Sequence, residues 1–145
     1  MEKQRYSARI KASKEKVWRL LWGKETYPKW TAAFAENSDA VTDWKEGSKV
    51  LFTNGSGEGM VARIATKIEN EFLSFEHLGM LKNGQEILEG PEVEAWAGAR
   101  ENYTLTEDDN STNLDVDIDV NPQWKDYFDK TWPKALEKLK ELAEN

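Results

Sequence analysis

Apolar residues recur at two periods along this chain, and each change of period marks a new element. At positions 4–11 they alternate, Tyr6, Ala8 and Ile10 against Arg5, Ser7, Arg9 and Lys11, which predicts a half-buried first strand. Ser13 then offers a cap for a helix with Glu15 in its first turn and Val17, Trp18, Leu20 and Leu21 as its apolar stripe, up to Gly23. A shorter helix follows, with Thr26 as its cap, Pro28 in its first turn and Trp30 and Phe34 four residues apart, before Asn37-Ser38 breaks the pattern. From Asp39 to Val120 the period is two again. It predicts an antiparallel meander with strands at about 39–44, 48–54, 59–68, 71–79, 95–107 and 112–120. The turns Lys45-Glu46-Gly47, Asn54-Gly55-Ser56-Gly57, Glu69-Asn70-Glu71 and Asp108-Asp109-Asn110 carry the residues that tight reversals need. The closing strand alternates most cleanly, Leu114, Val116, Ile118 and Val120 inward against Asp115, Asp117 and Asp119 outward. Met60, Ala62, Ile64 and Ile68 are expected to face in from one strand, and Leu73, Phe75 and His77 from the next, with Ser74 and Glu76 on the other face.

Asn121 to Asn145 returns to the helical period. Asn121 is placed to cap, Pro122 suits the first turn, and Trp124, Phe128, Trp132, Leu136, Leu139 and Leu142/Ala143 line one face, with Lys and Glu opposite. At roughly 1.5–3 kcal/mol per side chain, that stripe stabilises by on the order of 10 kcal/mol only if the helix lies on a sheet. Pro133 lacks an N–H and crowds the carbonyl of Asp129, so a bend is expected there, and a bent helix over a sheet can leave a hollow. The pattern therefore predicts an α+β fold, an antiparallel sheet of about seven strands with two short helices after the first strand and a long C-terminal helix across it. Met80 to Glu94 has weak periodicity and reads as the longest irregular stretch, of the kind that forms lids and binding loops.

Composition removes whole classes of function. A length of 145 residues predicts one domain over 1–145. The net charge of -7 argues against nucleic acid and anionic membrane surfaces, and does not favour acidic ligands. There is no cysteine, hence no disulfide, thiolate nucleophile or cysteine-bound metal, and no apolar run approaches the roughly 20 residues of a membrane span. Met1-Glu2-Lys3-Gln4-Arg5 is no signal peptide, so the cytoplasm is the expected compartment and the triplets at Asn54, Asn102 and Asn110 are chance glycosylation matches.

The order strand, two short helices, six antiparallel strands and long closing helix covers the whole chain and resembles the SRPBCC or START-like superfamily, with its helix-grip fold. Within it the chain is similar to the bacterial single-domain branch related to the activator of the ninety-kilodalton heat-shock protein ATPase. The residues that carry the resemblance are Ile10-Lys11-Ala12-Ser13-Lys14-Glu15-Lys16-Val17-Trp18, Trp30, Asp43-Trp44-Lys45-Glu46-Gly47, Trp96-Ala97-Gly98, Glu101-Asn102-Tyr103-Thr104-Leu105-Thr106, Tyr127-Phe128-Asp129 and Thr131-Trp132-Pro133-Lys134-Ala135-Leu136. The resemblance implies a curved sheet gripping the last helix, and between them a cavity of the sort used for lipids, polyketides, hormones and other apolar small molecules. It implies no catalytic motif and no cofactor. The eukaryotic activators carry a further N-terminal domain that grips the chaperone, and this chain starts at the first strand, so chaperone activation is not expected.

His77 is the only histidine. Pointing inward, it could serve as a cavity acid or base with Glu94, Glu101 or Tyr103 from a neighbouring strand, but a single histidine is no metal site. Seven tryptophans offer large rigid walls with a polar handle. Trp18 and Trp44 read as core, whereas Trp30, Trp96, Tyr103, Phe128 and Trp132 could be both core and cavity wall, with Phe34, Phe52, Met60, Ile64 and Phe75 completing the lining. Asp115, Asp117 and Asp119 are no calcium loop, because the sixth and twelfth positions are Val120 and Asp126 instead of Gly and Glu. Gly55-Ser56-Gly57-Glu58-Gly59 lacks the following helix and Lys-Ser/Thr of a phosphate loop, and no Gly-x-Ser-x-Gly elbow exists. The expected function is a monomeric, non-catalytic binder of a small hydrophobic or amphipathic molecule. The alternatives are a cyclase, dehydratase or hydrolase using His77, and a partner-binding module using the exposed sheet face or the Met80 to Glu94 loop.

Overall fold

The computed structural model describes residues 1–145. The first alternating run is strand β1 (Glu2–Ile10), followed by helix α1 (Lys14–Trp22) and helix α2 (Tyr27–Trp30), which continues as a 3-10 turn over Thr31–Ala33. The second alternating region gives β2 (Asp39–Val41), β3 (Lys49–Thr53), β4 (Gly59–Ile68), β5 (Phe72–Lys82), β6 (Gln85–Ile87), the short helix α3 (Pro91–Glu94), β7 (Arg100–Asp108) and β8 (Ser111–Val120). A 3-10 turn at Pro122–Trp124 leads into helix α4 (Lys125–Glu144). All strands join one antiparallel sheet in the order β1-β8-β7-β5-β4-β3-β2, with β6 added against β5. The long helix packs on β1, α1 and α2, and the fold is the expected helix-grip arrangement. No helix is long and apolar enough to cross a membrane.

One apolar cluster fills the space between the layers. Trp132, Ala135, Leu136, Leu139 and Ala143 of α4 meet inward residues of β3, β4, β5, β7 and β8. Ser13 caps α1 through its hydroxyl, which accepts from the Lys16 amide (3.2 Å), and Val17, Trp18, Leu21 and Trp22 are buried beneath. Thr26 does not cap α2 as expected. Its own backbone is helical and its hydroxyl donates to the Leu20 carbonyl (2.7 Å), closing the end of α1. Asn121 does accept from Gln123 N–H (3.3 Å), but it opens a 3-10 turn, whose tighter winding swings Trp124 out to 51% exposure instead of onto the apolar stripe. Helix α4 runs on through Pro133, which has no proton to give the Asp129 carbonyl.

Three further departures come from bulges and turns. The β4–β5 register slips between Ile64 and Thr66, so Ile68 pairs with Phe72 and is 51% exposed rather than inward. Strand β5 runs beyond its expected end to Lys82, turns through the positive-φ pair Asn83-Gly84 and returns as β6, so the start of the supposedly irregular stretch is a hairpin. Residues 95–99 are not strand, because the turn begun in α3 continues until Gly98, at φ +92, releases the chain into β7.

Strands β6 and β7 lie along the same edge of β5, β6 at Met80–Lys82 and β7 at Phe72–Glu76. Where β7's side of the ladder ends, the His77 N–H donates to Ala99 O (2.9 Å) and its carbonyl accepts from Gly98 N–H (2.8 Å). On its other flank His77 adjoins a second slip, between Val61 and Ala62, that leaves Leu78 without a partner on β4. His77 thus stands where the sheet is interrupted on both sides.

Candidate functional site

Strand alternation sends Leu73, Phe75 and His77 of β5 to the helix side, and the β5–β7 register places Glu101 opposite Phe75 and Tyr103 opposite Leu73 on that same face. Glu101 is therefore an acid at an inward position. Its side chain is 14% exposed and that of His77 10%. Glu101 Oε1 lies 3.1 Å from His77 Nε2, and Oε2 accepts a short hydrogen bond from the Tyr103 hydroxyl. A carboxylate only accepts, so Nε2 carries the proton that Glu101 receives, and in the neutral tautomer that fits this contact Nδ1 carries a lone pair.

Tyr103 is the hub of the aromatic interior. Its ring centroid is 4.8 Å from that of Trp22, 6.0 Å from Phe75, 6.1 Å from Trp132 and 6.5 Å from Trp30. Burial, reinforced by the charge of Glu101, pushes the Tyr103 hydroxyl well above the usual tyrosine range. Tyr27 is raised by burial first, then by Glu101 and Asp39. The indole of Trp30 donates to the Leu21 carbonyl (3.1 Å). Three other buried side-chain nitrogens have no partner: Trp22 Nε1, Trp132 Nε1 and His77 Nδ1. Each such group, left unsatisfied away from water, costs about 1–3 kcal/mol.

The wall beyond Trp22 is strained. Trp44, in the loop between β2 and β3, has φ +63 and packs its ring 5.3 Å from Trp22. A left-handed bulky residue costs about 1–2 kcal/mol. Here it is held by its amide donating to Thr42 Oγ1 (3.3 Å) and its carbonyl accepting from Lys67 Nζ (2.7 Å).

Of the residues singled out from the sequence, Trp30, Ile64, Phe75, Tyr103 and Trp132 come together fully buried, with Phe34, Phe52 and Phe128 packed against them. His77 adjoins this cluster through Phe52, ring centroids 5.8 Å apart. Met60 is half-buried opposite Phe52, outside the cluster, and Trp96 stands apart on the turn before β7, half-exposed and without a ring partner. Glu94 is exposed on α3, which leaves Glu101 and Tyr103 as the partners of His77 among the three considered. Trp22 and Tyr27 were not singled out, although the four-residue step from Trp18 to Trp22 was there to be read. No three His, Cys, Asp or Glu side chains are gathered to hold a metal. The rings pack against one another under α4. A hollow of ≈ 530 Å³ lies along Pro133, Lys134, Glu137, Lys138 and Glu141 on the outside of α4, and another of ≈ 270 Å³ lies between α4 and β1. Neither touches His77, Glu101 or Tyr103.

Residues 11–144 match the family described as Activator of Hsp90 ATPase homolog 1-like protein. No curated protein matches the chain in sequence. Among solved structures, an Aha1 dimer from Colwellia psychrerythraea is similar at TM-score 0.76 and 22% identity, over 99% of this chain and 97% of that one. A Mesorhizobium loti protein is similar at TM-score 0.74 and 18% identity, over 97% and 96% of the two chains. CalU16 from Micromonospora echinospora is similar at TM-score 0.65 and 14% identity, over 94% and 73%. At these identities the likeness is one of fold.

Proposed function

The chain belongs to the Activator of Hsp90 ATPase homolog 1-like family, within the SRPBCC fold group, and from that premise we propose that it is a cytoplasmic binder of a small, mostly apolar molecule held between the sheet and α4. The observation that carries this reading is the set of three buried, unpartnered nitrogens, on Trp22 and Trp132 within the aromatic core and on His77 beside it. Pockets that orient apolar ligands combine large hydrophobic walls with a few polar contacts of this kind. The rings pack against one another, so entry requires them to part, and the strained Trp44 beside Trp22 is one part of that wall.

The test is native mass spectrometry of protein purified from its own host, followed by tryptophan emission during titration with apolar probes bearing different polar groups. A stoichiometric adduct or a saturable emission change is expected. An empty protein whose emission responds to no probe rejects the reading. The same spectrum reports whether this chain is the monomer we propose or a dimer like its Colwellia relative.

A second reading is favoured by one observation. Glu101 holds one nitrogen of His77 and leaves the other free, which is how a carboxylate orients a histidine for general acid or base work. Should the bound molecule prove to be turned over, His77→Ala is expected to abolish that turnover, and an unchanged rate removes His77 from the chemistry.

A further inference from the structure

Resting on the binding reading above, we infer that the ligand's polar group at His77 is a hydroxyl that donates a hydrogen bond, a phenol or alcohol on an aromatic or alicyclic body, and not an ether, ketone or carboxylate. Both oxygens of Glu101 are engaged, Oε1 with His77 Nε2 and Oε2 with the Tyr103 hydroxyl. The Tyr103 proton goes to Glu101, and the Nε2 proton does the same, so the imidazole in its neutral form presents only an acceptor at Nδ1. That atom is buried and has no partner.

No side chain in the structure partners Nδ1. Phe52 lies against the ring, and the residue opposite on β4 is Ala62, so neither brings a side-chain donor. An ether or ketone oxygen has no proton for Nδ1. A carboxylate would have none either, and would stand close to the charge of Glu101, where a second anion is disfavoured. A hydroxyl donates to Nδ1 and keeps its own lone pairs free to accept. The aromatic walls formed by Phe52, Phe75 and Trp22 favour a flat apolar body behind that hydroxyl.

His77 is the only histidine, so selective nitrogen labelling gives one imidazole spectrum and needs no assignment by mutation. Wild-type protein labelled in this way is titrated with naphthol, methoxynaphthalene and naphthoate. The free protein is expected to show the tautomer protonated at Nε2. Naphthol is expected to bind about three- to tenfold more tightly than methoxynaphthalene, the worth of one hydrogen bond, and to shift the Nδ1 resonance. Methoxynaphthalene and naphthoate should leave that resonance where it was, and His77→Phe should bring the naphthol and methoxynaphthalene affinities together. A free protein protonated at Nδ1, or equal affinities with an unmoved Nδ1 resonance, overturns the inference while leaving the pocket in place. If none of the three probes binds, the pocket reading itself fails and the inference with it.

Discussion

Glu101 occupies a position that strand alternation reserves for an apolar side chain, and Tyr103 and His77 are the reason the fold tolerates it. Replacing Tyr103 by Phe keeps the ring and its contacts with Trp22 and Trp132 but strips one hydrogen bond from a poorly solvated carboxylate. The variant is expected to lose about 1–3 kcal/mol of stability, read as a lower urea midpoint at unchanged slope. An unmoved midpoint would mean that Glu101 is satisfied without Tyr103. Alternation along single strands was enough to aim His77 and Tyr103 inward. The identity of the acid beside them was not readable to the same degree, because it depends on the register between β5 and β7, and Glu94 and Glu101 were equally available until that register was known.

The elements follow the chain's periodicity where the period is unbroken, as in α1, β8 and α4, and depart from it where one residue is added or the winding changes. Ile68 lies past a bulge and Trp124 lies in a 3-10 turn, so each leaves the face that simple counting assigns. The β5–β6 hairpin was signalled by Asn83-Gly84, but β6 is only three residues long and offers too little alternation to be recognised. Gly79 holds that hairpin together at close quarters. A Cβ there would sit 2.3 Å from the Ile87 carbonyl, a backbone atom that can move only if β6 moves. Gly79→Ala is therefore expected to destabilise by about 1–3 kcal/mol, with faster amide exchange concentrated in Met80–Ile87. Exchange that rises uniformly over the sheet would show instead that β6 is part of the same cooperative unit as the rest.

At the scale of the whole molecule, the order of elements and the family were legible because both rest on long, regular segments. The packed interior was not, since the rotamers of a few rings decide whether a hollow stays open. Those rings also give the molecule an alkaline limit. Tyr27 and Tyr103 keep their protons well above the ordinary pKa of 10.0, whereas in the unfolded chain both would titrate near it. Stability is thus fully present below pH 10.0 and falls as pH rises beyond it, by about 1.4 kcal/mol per pH unit for each tyrosine. Thermal melts across this range are expected to show that decline, and Tyr103→Phe to reduce its slope; a flat profile would mean that neither hydroxyl is held neutral by the fold.

The pairing of β1 with β8, from Glu2 opposite Val120 to Ile10 opposite Thr112, also fixes an order of events during synthesis. At about 5–20 residues per second, the first strand emerges from the ribosome on the order of ten seconds before its partner exists. Helix α4, 20 residues long and packed on β1, is made later still. Until β8 and α4 have been made, Tyr6, Ala8 and Ile10 have nothing native to lie against, so β1 is the strand that waits longest for its partner and the one that a cell would need to shield meanwhile.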